Sequence, residues 1–322
     1  MQNFPLVSIT ILNYNGLSLL DGVLEECLQS VLGTDYPNIE VLFVDNASVD
    51  ESVDFVRKSF SDPRLKIIRN SSNLGVGEGY NVGMRASRGE YIVQMNNDII
   101  VDPDWLKELV GVMEKNRKIG IAGPKFMVYG KENLIDSIGF KMDRYGGTTA
   151  IGLREKDVGQ YDEIRYDFDY LLGATVIYRR EVLDKTGLHD SGYFIYFEEP
   201  DISTRTRQMG YEIAYVPRAV VWHKHEATIE KVDPSGRFRH YHLARSAYRF
   251  MIKNWEIQRL FPALTVNIFR DVSWFISSVI RLRPRLYILT PMLWNLLNLR
   301  STWKKRLEVK QLYAHARGSS KN

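Results

Sequence analysis

The amino-acid sequence predicts an α/β fold, in which a mixed, mainly parallel β-sheet is flanked by helices and followed by a C-terminal helical extension. Three observations favour this fold. Apolar runs of strand length alternate with segments of helical periodicity over residues 1–238. Turn-forming polar residues end several of these runs. From Arg239 onward helical patterns dominate and aromatic residues mix with Arg and Lys, so 239–322 is predicted to form the extension.

The elements can be assigned in chain order. Strands are predicted at 7–12, 39–44, 65–68, 91–95, 119–122, 174–178 and 211–216. Helices are predicted from Ser18 with Asp21 as a capping partner, from about Asp50, over 77–86, after Asp102 with Pro103 at the first helical position, near Arg180, and up to Met209. The segment 124–169, rich in glycine, tyrosine and charge, is predicted to form irregular loops or a small hairpin.

Polar residues follow three of the predicted strands. Asn13, Asp45 and Asp98 each stand just beyond a strand end. Sheets built from parallel β-α-β units bind ligands beyond the carboxyl ends of their strands. We therefore expect these three side chains to meet at one edge of the sheet.

Composition excludes several classes of protein. The chain has 322 residues, of which 44% are hydrophobic and 25% charged, a balance that excludes global disorder. The single cysteine, Cys27, excludes an intrachain disulfide and a thiolate metal site, and it fits a reducing compartment. No secretory signal is recognised at the N-terminus, so a cytoplasmic location is expected.

The strongest functional signal is the order of seven motifs. They are VSITILNYN at 7–15, VDNASVD at 44–50, NLGVGEGYN at 73–81, MNND at 95–98, VDPDW at 101–105, FEEPD at 197–201 and VWH at 221–223. This order resembles the family 2 glycosyltransferases, which have the GT-A fold, over roughly 5–226, and the closest similarity is to rhamnosyltransferase-like members. The resemblance implies inverting transfer of a sugar from a UDP- or dTDP-linked donor to a saccharide or lipid-linked saccharide in surface polysaccharide or glycan assembly.

Several residues are predicted to bind the nucleotide sugar. Asp45 can accept the N3–H of a uracil or thymine ring, because a carboxylate is an acceptor only, but it can also close a loop as an Asx turn. The resemblance nominates Asn13 and Asn15, for which turn formation is the alternative. Asn46 and Asn97, in the same motifs, are predicted with them.

The glycine-rich motif is predicted to approach the ligand with its backbone. Gly75 and Gly77 permit such an approach, and Asn81 lies on the helix that follows. A flexible loop is the alternative. The final glycine of a G-x-G-x-x-G dinucleotide fingerprint is missing, which argues against an oxidoreductase.

A divalent cation, Mg²⁺ or Mn²⁺, is predicted at Asp98. The resemblance places this residue at the end of a D-x-D-like motif that holds a cation on the diphosphate, and carboxylate and phosphate oxygens suit both ions. Asn96 stands where the family can carry a first aspartate, and loop capping is the alternative role of Asp98. The resemblance also nominates His223 as a metal ligand, against a structural role, with His225 as a competitor.

The acidic cluster is predicted to supply the general base. The resemblance gives this role to the second acidic residue, Glu199, with Glu198 as the rival and Asp201 as a further member of the catalytic cluster. An unperturbed glutamate is ionised at neutral pH, so no large pKa shift is expected. The alternative is an acidic helix start, with Pro200 in the first turn and carboxylates stabilised by the helix dipole.

The C-terminal extension is predicted to associate with a membrane. Its apolar stretches 261–268 and 272–280 are separated by Arg270 and Asp271, and neither reaches the roughly 20 residues of a spanning helix. We expect helices lying on an anionic membrane surface, on the inner face of the cell membrane, and no nucleic acid partner. The alternative functions are transfer to a polyprenyl phosphate and an inactive nucleotide-sugar-binding protein.

Overall fold

A mixed sheet forms the centre of the protein in a computed structural model that describes residues 4–224, 231–282 and 285–319. Its strands are β1 (Val7–Asn13), β2 (Ile39–Asp45), β3 (Leu65–Arg69), β4 (Tyr91–Asn96), β5 (Ile99–Val101), β6 (Ile119–Val128), β7 (Ile135–Ser137), β10 (Thr175–Arg179) and β11 (Glu212–His223). Strands β8 (Gly139–Met142) and β9 (Thr148–Ile151) form a separate antiparallel hairpin.

The strand order is β3-β2-β1-β4-β10-β6-β11-β5, and β7 pairs with β6. The pairs β3–β2, β2–β1, β1–β4 and β6–β11 are parallel, whereas β10, β5 and β7 pair antiparallel to their neighbours. Since β1, β2 and β4 run in the same direction, their carboxyl ends share one edge. The predicted α/β fold, with its mixed and mostly parallel sheet, is confirmed.

Helices cover both faces of the sheet and form the C-terminal part. They are α1 (Gly16–Leu19), α2 (Val23–Leu32), α3 (Ser52–Ser59), α4 (Val76–Ala86), α5 (Trp105–Lys115), α6 (Arg180–Thr186), α7 (Glu198–Gln208), α8 (Arg237–Asn254), α9 (Ile257–Ile280), α10 (Thr290–Leu297) and α11 (Leu299–Ser319). One core contains Val7, Ile9 and Ile11 of β1, and the core on the opposite face contains Tyr80 and Met84 of α4. Strands buried on both faces explain why the sequence shows nearly continuous apolar runs.

All seven predicted strands are present, with β6 and β11 extending well beyond the predicted ends. The short strands β5 and β7 were not predicted, since three residues carry too little pattern to identify them. The hairpin β8–β9 falls within 124–169, where a small hairpin was one of the two alternatives.

The helix predicted from Ser18 is wrong in detail, because the chain turns between α1 and α2. Asp21 and Gly22 both have positive φ, 49° and 89°, which no helix accommodates. The Asp21 carboxylate therefore does not cap a helix but pairs with Lys231 at 2.9 Å. Pro103 is likewise not the first helical residue, since α5 begins at Trp105.

The two apolar stretches of the extension form a single helix, contrary to the prediction. Helix α9 has 24 residues and by length and composition alone is apolar enough to cross a membrane, which for one such helix is weak evidence. Asp271 does not interrupt it, because the carboxylate is 1% exposed and accepts a hydrogen bond from Tyr248 of α8 at 2.7 Å. The side chain thus faces the protein, and the helix continues.

Candidate active site

The polar residues that follow β1, β2 and β4 meet at one edge of the sheet, as expected from their positions. Asn13 and Asp45 are register partners at the ends of β1 and β2. The Asn13 amide donates to Asp45 at 3.1 Å, and its carbonyl oxygen accepts from the Asn97 amide at 2.7 Å. Asn13 is fully buried, so it links the three strand ends beneath the protein surface.

Asp45 and Asn46 hold the loops of this edge in place. Asp45 is fully buried, and its second oxygen accepts the backbone N–H of Ser48 at 3.1 Å, as in an Asx turn. Asn46 donates to Asn73 and Gly75 and accepts from the backbone of Leu74. Both side chains use their polar atoms within the chain, so the loop-closing alternative describes their contacts, and a base contact by Asp45 stays a prediction.

Asn15 and Arg69 lie at the outer rim of the edge. Asn15 has a left-handed backbone with φ of 51°, and its side chain accepts the N–H of Val49 at 2.8 Å. Arg69 ends β3 with its guanidinium largely exposed, 3.7 Å from Asp45. A cation at this position suits an anionic ligand, and the sequence analysis did not nominate it.

The glycines of the 73–81 motif pack closely against the 189–194 loop, and their approach to a ligand stays a prediction. A Cβ at Gly75, where φ is 80°, would lie 2.3 Å from the backbone oxygen of Phe194. A Cβ at Gly77 would meet His189 at 3.3 Å. Asn81 is buried and exchanges two hydrogen bonds with the backbone of His189. The motif therefore fastens α4 to the 189–194 loop, which positions the start of α7.

Asp98 and His223 approach each other beside the edge, because β5 pairs with the end of β11. The Nε2 atom of His223 lies 3.6 Å from one Asp98 oxygen, and its Nδ1 atom lies 2.8 Å from Asp136 on β7. A carboxylate that holds the far nitrogen of a histidine fixes the ring orientation and increases the basicity of the nitrogen that faces a metal. His225, the predicted competitor, lies outside the described residues.

The Asp98–His223 pair fits a divalent cation. The other Asp98 oxygen is buried and has no hydrogen-bond partner in the described part of the chain, an arrangement that a bound cation would satisfy. Within the same residues no group of three or more His, Cys, Asp or Glu gathers to hold a metal. Mg²⁺ commonly binds through one or two carboxylates plus substrate phosphates, so two protein ligands are sufficient when a diphosphate is present.

Glu198 and Glu199 open α7 and lie close enough to affect each other's ionisation. Glu198 is 2% exposed, and burial, with the neighbouring Glu199 charge, raises its pKa well above the usual range. Glu199 is half-buried, and burial raises its pKa to about 7. The expectation of an unshifted pKa was wrong, because a carboxyl group removed from water and lacking a cation favours its neutral form.

A strained turn places these carboxyl groups. Tyr196 and Phe197 both have left-handed backbones, with φ of 66° and 70°. Such a conformation costs about 1–3 kcal/mol for each residue other than glycine. Gly173 provides the space for the Glu199 side chain, since a Cβ there would lie 1.9 Å from a carboxyl oxygen of Glu199.

A buried polar layer links the Asp98–His223 pair to Glu198 and Glu199. The Tyr80 hydroxyl donates to Asn96 at 2.6 Å. Burial raises the pKa of Tyr80, and the charges of Glu199 and Asp98 raise it further. Tyr80 is therefore near both groups. Gln94 continues this layer, since its amide donates to the Gly173 carbonyl oxygen at 2.7 Å.

Asp201 faces away from this layer. It is fully buried and accepts hydrogen bonds from Arg205 on the same helix and from Lys253 and Asn254 on α8. Burial alone would raise its pKa, but Lys253 and Arg205 hold the pKa below its usual value. These contacts place Asp201 at the junction of α7 and α8, and its predicted catalytic role stays a prediction.

Sequence reasoning missed Asp136 and Gly173. Asp136 is one of six aspartates in 124–169, and nothing in the local sequence distinguishes it from the other five. Its place beside His223 depends on the antiparallel pairing of β6 and β7. Gly173 precedes β10 without any motif around it, so its contact with Glu199 could be found only in three dimensions.

Comparison with known proteins identifies the family of this chain. The sequence profile described as glycosyl transferase family 2 matches residues 8–187, more than half of the chain. An uncharacterized protein of Sinorhizobium fredii is 27% identical over 290 residues, 86% of this chain and 31% of that protein. A poly-beta-1,6-N-acetyl-D-glucosamine synthase of Staphylococcus epidermidis is 21% identical over 198 residues, 62% of this chain and 46% of that protein. The chain thus spans about a third to a half of these relatives.

Solved structures share the fold. A mannosyltransferase from Pyrobaculum calidifontis, in complex with GDP-Man and Mn²⁺, has a TM-score of 0.56 and 17% identity, over 97% of this chain and 86% of that one. TarS 1–349 of S. aureus, in complex with UDP-GlcNAc, has a TM-score of 0.57 and 16% identity, over 89% of this chain and 79% of that one. At this level of identity the similarity concerns the fold alone.

Proposed function

Because this chain belongs to glycosyl transferase family 2, we propose that it transfers a sugar from a UDP- or dTDP-linked donor to a saccharide or lipid-linked saccharide acceptor. We propose further that the anomeric configuration is inverted. The observation that carries the proposal is the arrangement around Tyr80. Asp98, which keeps one oxygen without a partner in the described residues, and Glu199 both lie near enough to Tyr80 for their charges to raise its pKa.

The Asp98–His223 pair would hold Mg²⁺ or Mn²⁺ on the donor diphosphate. When bound, the cation would act as a Lewis acid that stabilises the charge of the departing nucleoside diphosphate. Asp136 supports this arrangement by orienting the His223 ring through the 2.8 Å contact. The Asn96 amide is held by Tyr80, whose hydroxyl donates a hydrogen bond to the amide oxygen.

Glu199 would remove the proton from the acceptor hydroxyl. The hydroxyl oxygen then forms a bond to the anomeric carbon from the side opposite the diphosphate, whose bond to the sugar breaks, and the configuration inverts. A base is most effective when its pKa lies near the working pH, and the pKa of about 7 meets this condition. Glu198 is less suited, because it is almost completely buried.

The test is a donor screen with purified protein. UDP-, dTDP- and GDP-linked sugars, dTDP-rhamnose among them, are incubated with saccharide, lipid-linked saccharide and polyprenyl phosphate acceptors, with and without Mn²⁺. We expect release of UDP or dTDP together with a glycoside whose anomeric configuration, determined by NMR, is opposite to that of the donor. Asp98→Asn should abolish the metal-stimulated turnover, whereas the matched change Asp104→Asn at an exposed position should not.

Binding measured in the same samples separates an enzyme from a sensor. A ligand at 100 times its Kd stabilises a protein by about 2.7 kcal/mol, a shift that thermal melting detects. Donors that stabilise the protein but are never consumed would identify an inactive nucleotide-sugar-binding protein and overturn the proposal. A retained anomeric configuration would overturn the inverting mechanism.

We also propose that the protein works in the cytoplasm, peripherally attached to the inner face of the cell membrane. This proposal is supported by the exposed apolar residues of α9, Phe261, Phe269 and Ile280, which are 63%, 74% and 74% exposed. Such a surface is costly in water and favourable in a membrane interface. Cell fractionation followed by a high-salt wash tests it, and recovery of all the protein in the soluble fraction at low salt would contradict it.

A further inference from the structure

A cavity of about 690 Å³ lies among the C-terminal helices, lined by His240 of α8, Trp274 and Arg281 at the end of α9, and Arg285 and Tyr287 beyond it. None of these residues belongs to the candidate active site. We propose that this cavity binds the phosphate-bearing headgroup of an anionic lipid. The inference rests on the proposed membrane location and does not depend on sugar transfer.

The cavity offers cations that no protein carboxylate neutralises. The side chains of Arg281 and Arg285 are exposed, and within the described ranges neither has a carboxylate oxygen within 4.0 Å. A third guanidinium, that of Arg237, stands 5.4 Å from the centre of the Tyr287 ring on the wall of the cavity. Guanidinium groups bind phosphate with two parallel hydrogen bonds, which matches a lipid phosphate.

The inner wall adds a polar atom without a partner. The Nε2 atom of His240 is buried and has no hydrogen-bond partner in the described part of the molecule. Its ring packs edge-on against Tyr287, with centroids 5.6 Å apart. A buried polar atom without a partner destabilises the protein, and a phosphate or glycerol oxygen in the cavity would remove this cost.

The charge of residues 257–300 has a single sign at the surface. Residues 257–300 contain six arginines and one acidic residue, Asp271. Asp271 is 1% exposed, and its carboxylate is bound to Tyr248 and Arg270. No carboxylate of this segment therefore opposes an anionic surface, and this charge complementarity favours a lipid headgroup as the occupant.

The outer face of α9 provides the apolar part of the surface. Phe261, Phe269, Ile276 and Ile280 are between 51% and 74% exposed. At 100° per residue they form one stripe along the helix. The opposite face is attached to the protein, since Asn267 donates to the backbone oxygen of Tyr145 at 2.8 Å.

The test is binding to vesicles in the absence of donor and acceptor. Full-length protein is sedimented with vesicles of phosphatidylcholine alone and with an equimolar mixture of phosphatidylcholine and phosphatidylglycerol. The variant Arg281→Gln/Arg285→Gln is compared with Arg57→Gln/Lys58→Gln, which removes the same charge from exposed positions on α3. Far-UV circular dichroism and thermal melting check that each variant is folded.

We expect binding to the mixed vesicles and a roughly thirtyfold loss in the Arg281/Arg285 variant, since each arginine near an anionic surface contributes about a fivefold step. The α3 variant should bind like the wild type. Phe269→Ser should weaken the binding that remains at high salt. An equal loss in both charge variants would overturn the proposal, because attraction would then depend on net charge alone.

Inorganic phosphate tests the alternative that the cavity binds a soluble anion. If phosphate raises the melting temperature of the wild type but not of the Arg281/Arg285 variant, while both sediment equally with mixed vesicles, the cavity is a site for a soluble anion and the lipid proposal is overturned. Because no sugar nucleotide is present, failure here leaves the donor screen unaffected. A protein that binds vesicles but transfers no sugar would fail only the proposed function.

Discussion

Glu199 and Asp201 stand two residues apart on the first turn of α7, and their surroundings are opposite. Glu199 packs against Gly173, and no cation lowers its pKa. Burial raises this pKa to about 7. Asp201 is enclosed by Lys253 and Arg205, which hold its pKa below the usual value. Two neighbouring carboxyl groups therefore differ in the charge that they carry near neutral pH.

The difference shows how one acidic motif serves two purposes. A buried carboxylate paired with cations is stabilised in its charged form, and removing either partner is costly. A buried carboxyl without such a partner stays close to protonation and can exchange a proton at neutral pH. Asp201 thereby attaches α7 to α8, while Glu199 keeps a carboxyl group that can gain or lose a proton near neutral pH. The α8 helix thus contributes to the support of the candidate base, although it lies in the extension.

The strongest test of the comparison is Glu199→Gln. We expect kcat to fall by about 10²–10⁴-fold, the usual contribution of a general base, while donor affinity is retained. Steady-state kinetics and donor titration measure the two quantities. Glu51→Gln, at an exposed position, is the control. Wild-type turnover in Glu199→Gln would remove the residue from the chemistry.

Asp201→Ala should act on stability instead. Removing one partner of a buried ion pair typically costs about 3–5 kcal/mol, because Arg205 would be left buried without its carboxylate and Lys253 would keep only Asp190. Urea denaturation gives the change in the free energy of unfolding, and Asp184→Ala, exposed on α6, is the control. Undiminished stability together with lost turnover would give Asp201 the catalytic role that the sequence suggested.

Acidification should separate the two groups. The raised pKa of Glu199 means that its basic form is lost below about pH 7, so kcat/KM should fall about tenfold for each pH unit below that value. The pKa of Asp201 is lowered in the folded protein. The contribution of Asp201 to stability is therefore present at pH values above its pKa in the unfolded chain, and it is lost as the pH falls through its pKa in the folded protein. Activity should therefore disappear while thermal melting still reports a folded protein. Loss of activity and of folded structure at the same pH would contradict the contrast between Glu199 and Asp201.

The smallest effect is expected for Glu198→Gln. Burial and the Glu199 charge keep Glu198 protonated near neutral pH, so an uncharged amide of similar shape changes little. We expect kcat close to that of the wild type and the same pH at which activity declines. A loss comparable to that of Glu199→Gln would shift the base by one residue.

The sequence alone determined the parts of this protein that follow local rules. Residues 7–12 and 39–44 are apolar runs bounded by turn residues, and they form β1 and β2. Because parallel strands place their carboxyl ends together, the meeting of Asn13 with Asp45 and with Asn97, the residue before Asp98, followed from strand assignment alone. The motif order also identified the family, which the sequence profile over 8–187 shows.

Only the tertiary structure decided the state of each side chain within these elements. The pKa of Glu199, the pairing of Asp201 with α8 and the contact of Asp136 with His223 each depend on residues that are distant in the chain. Likewise, the close packing of Gly75 against Phe194 could be seen only in three dimensions. Secondary structure follows from patterns that repeat within a few residues, whereas burial and charge pairing depend on which surfaces meet after folding.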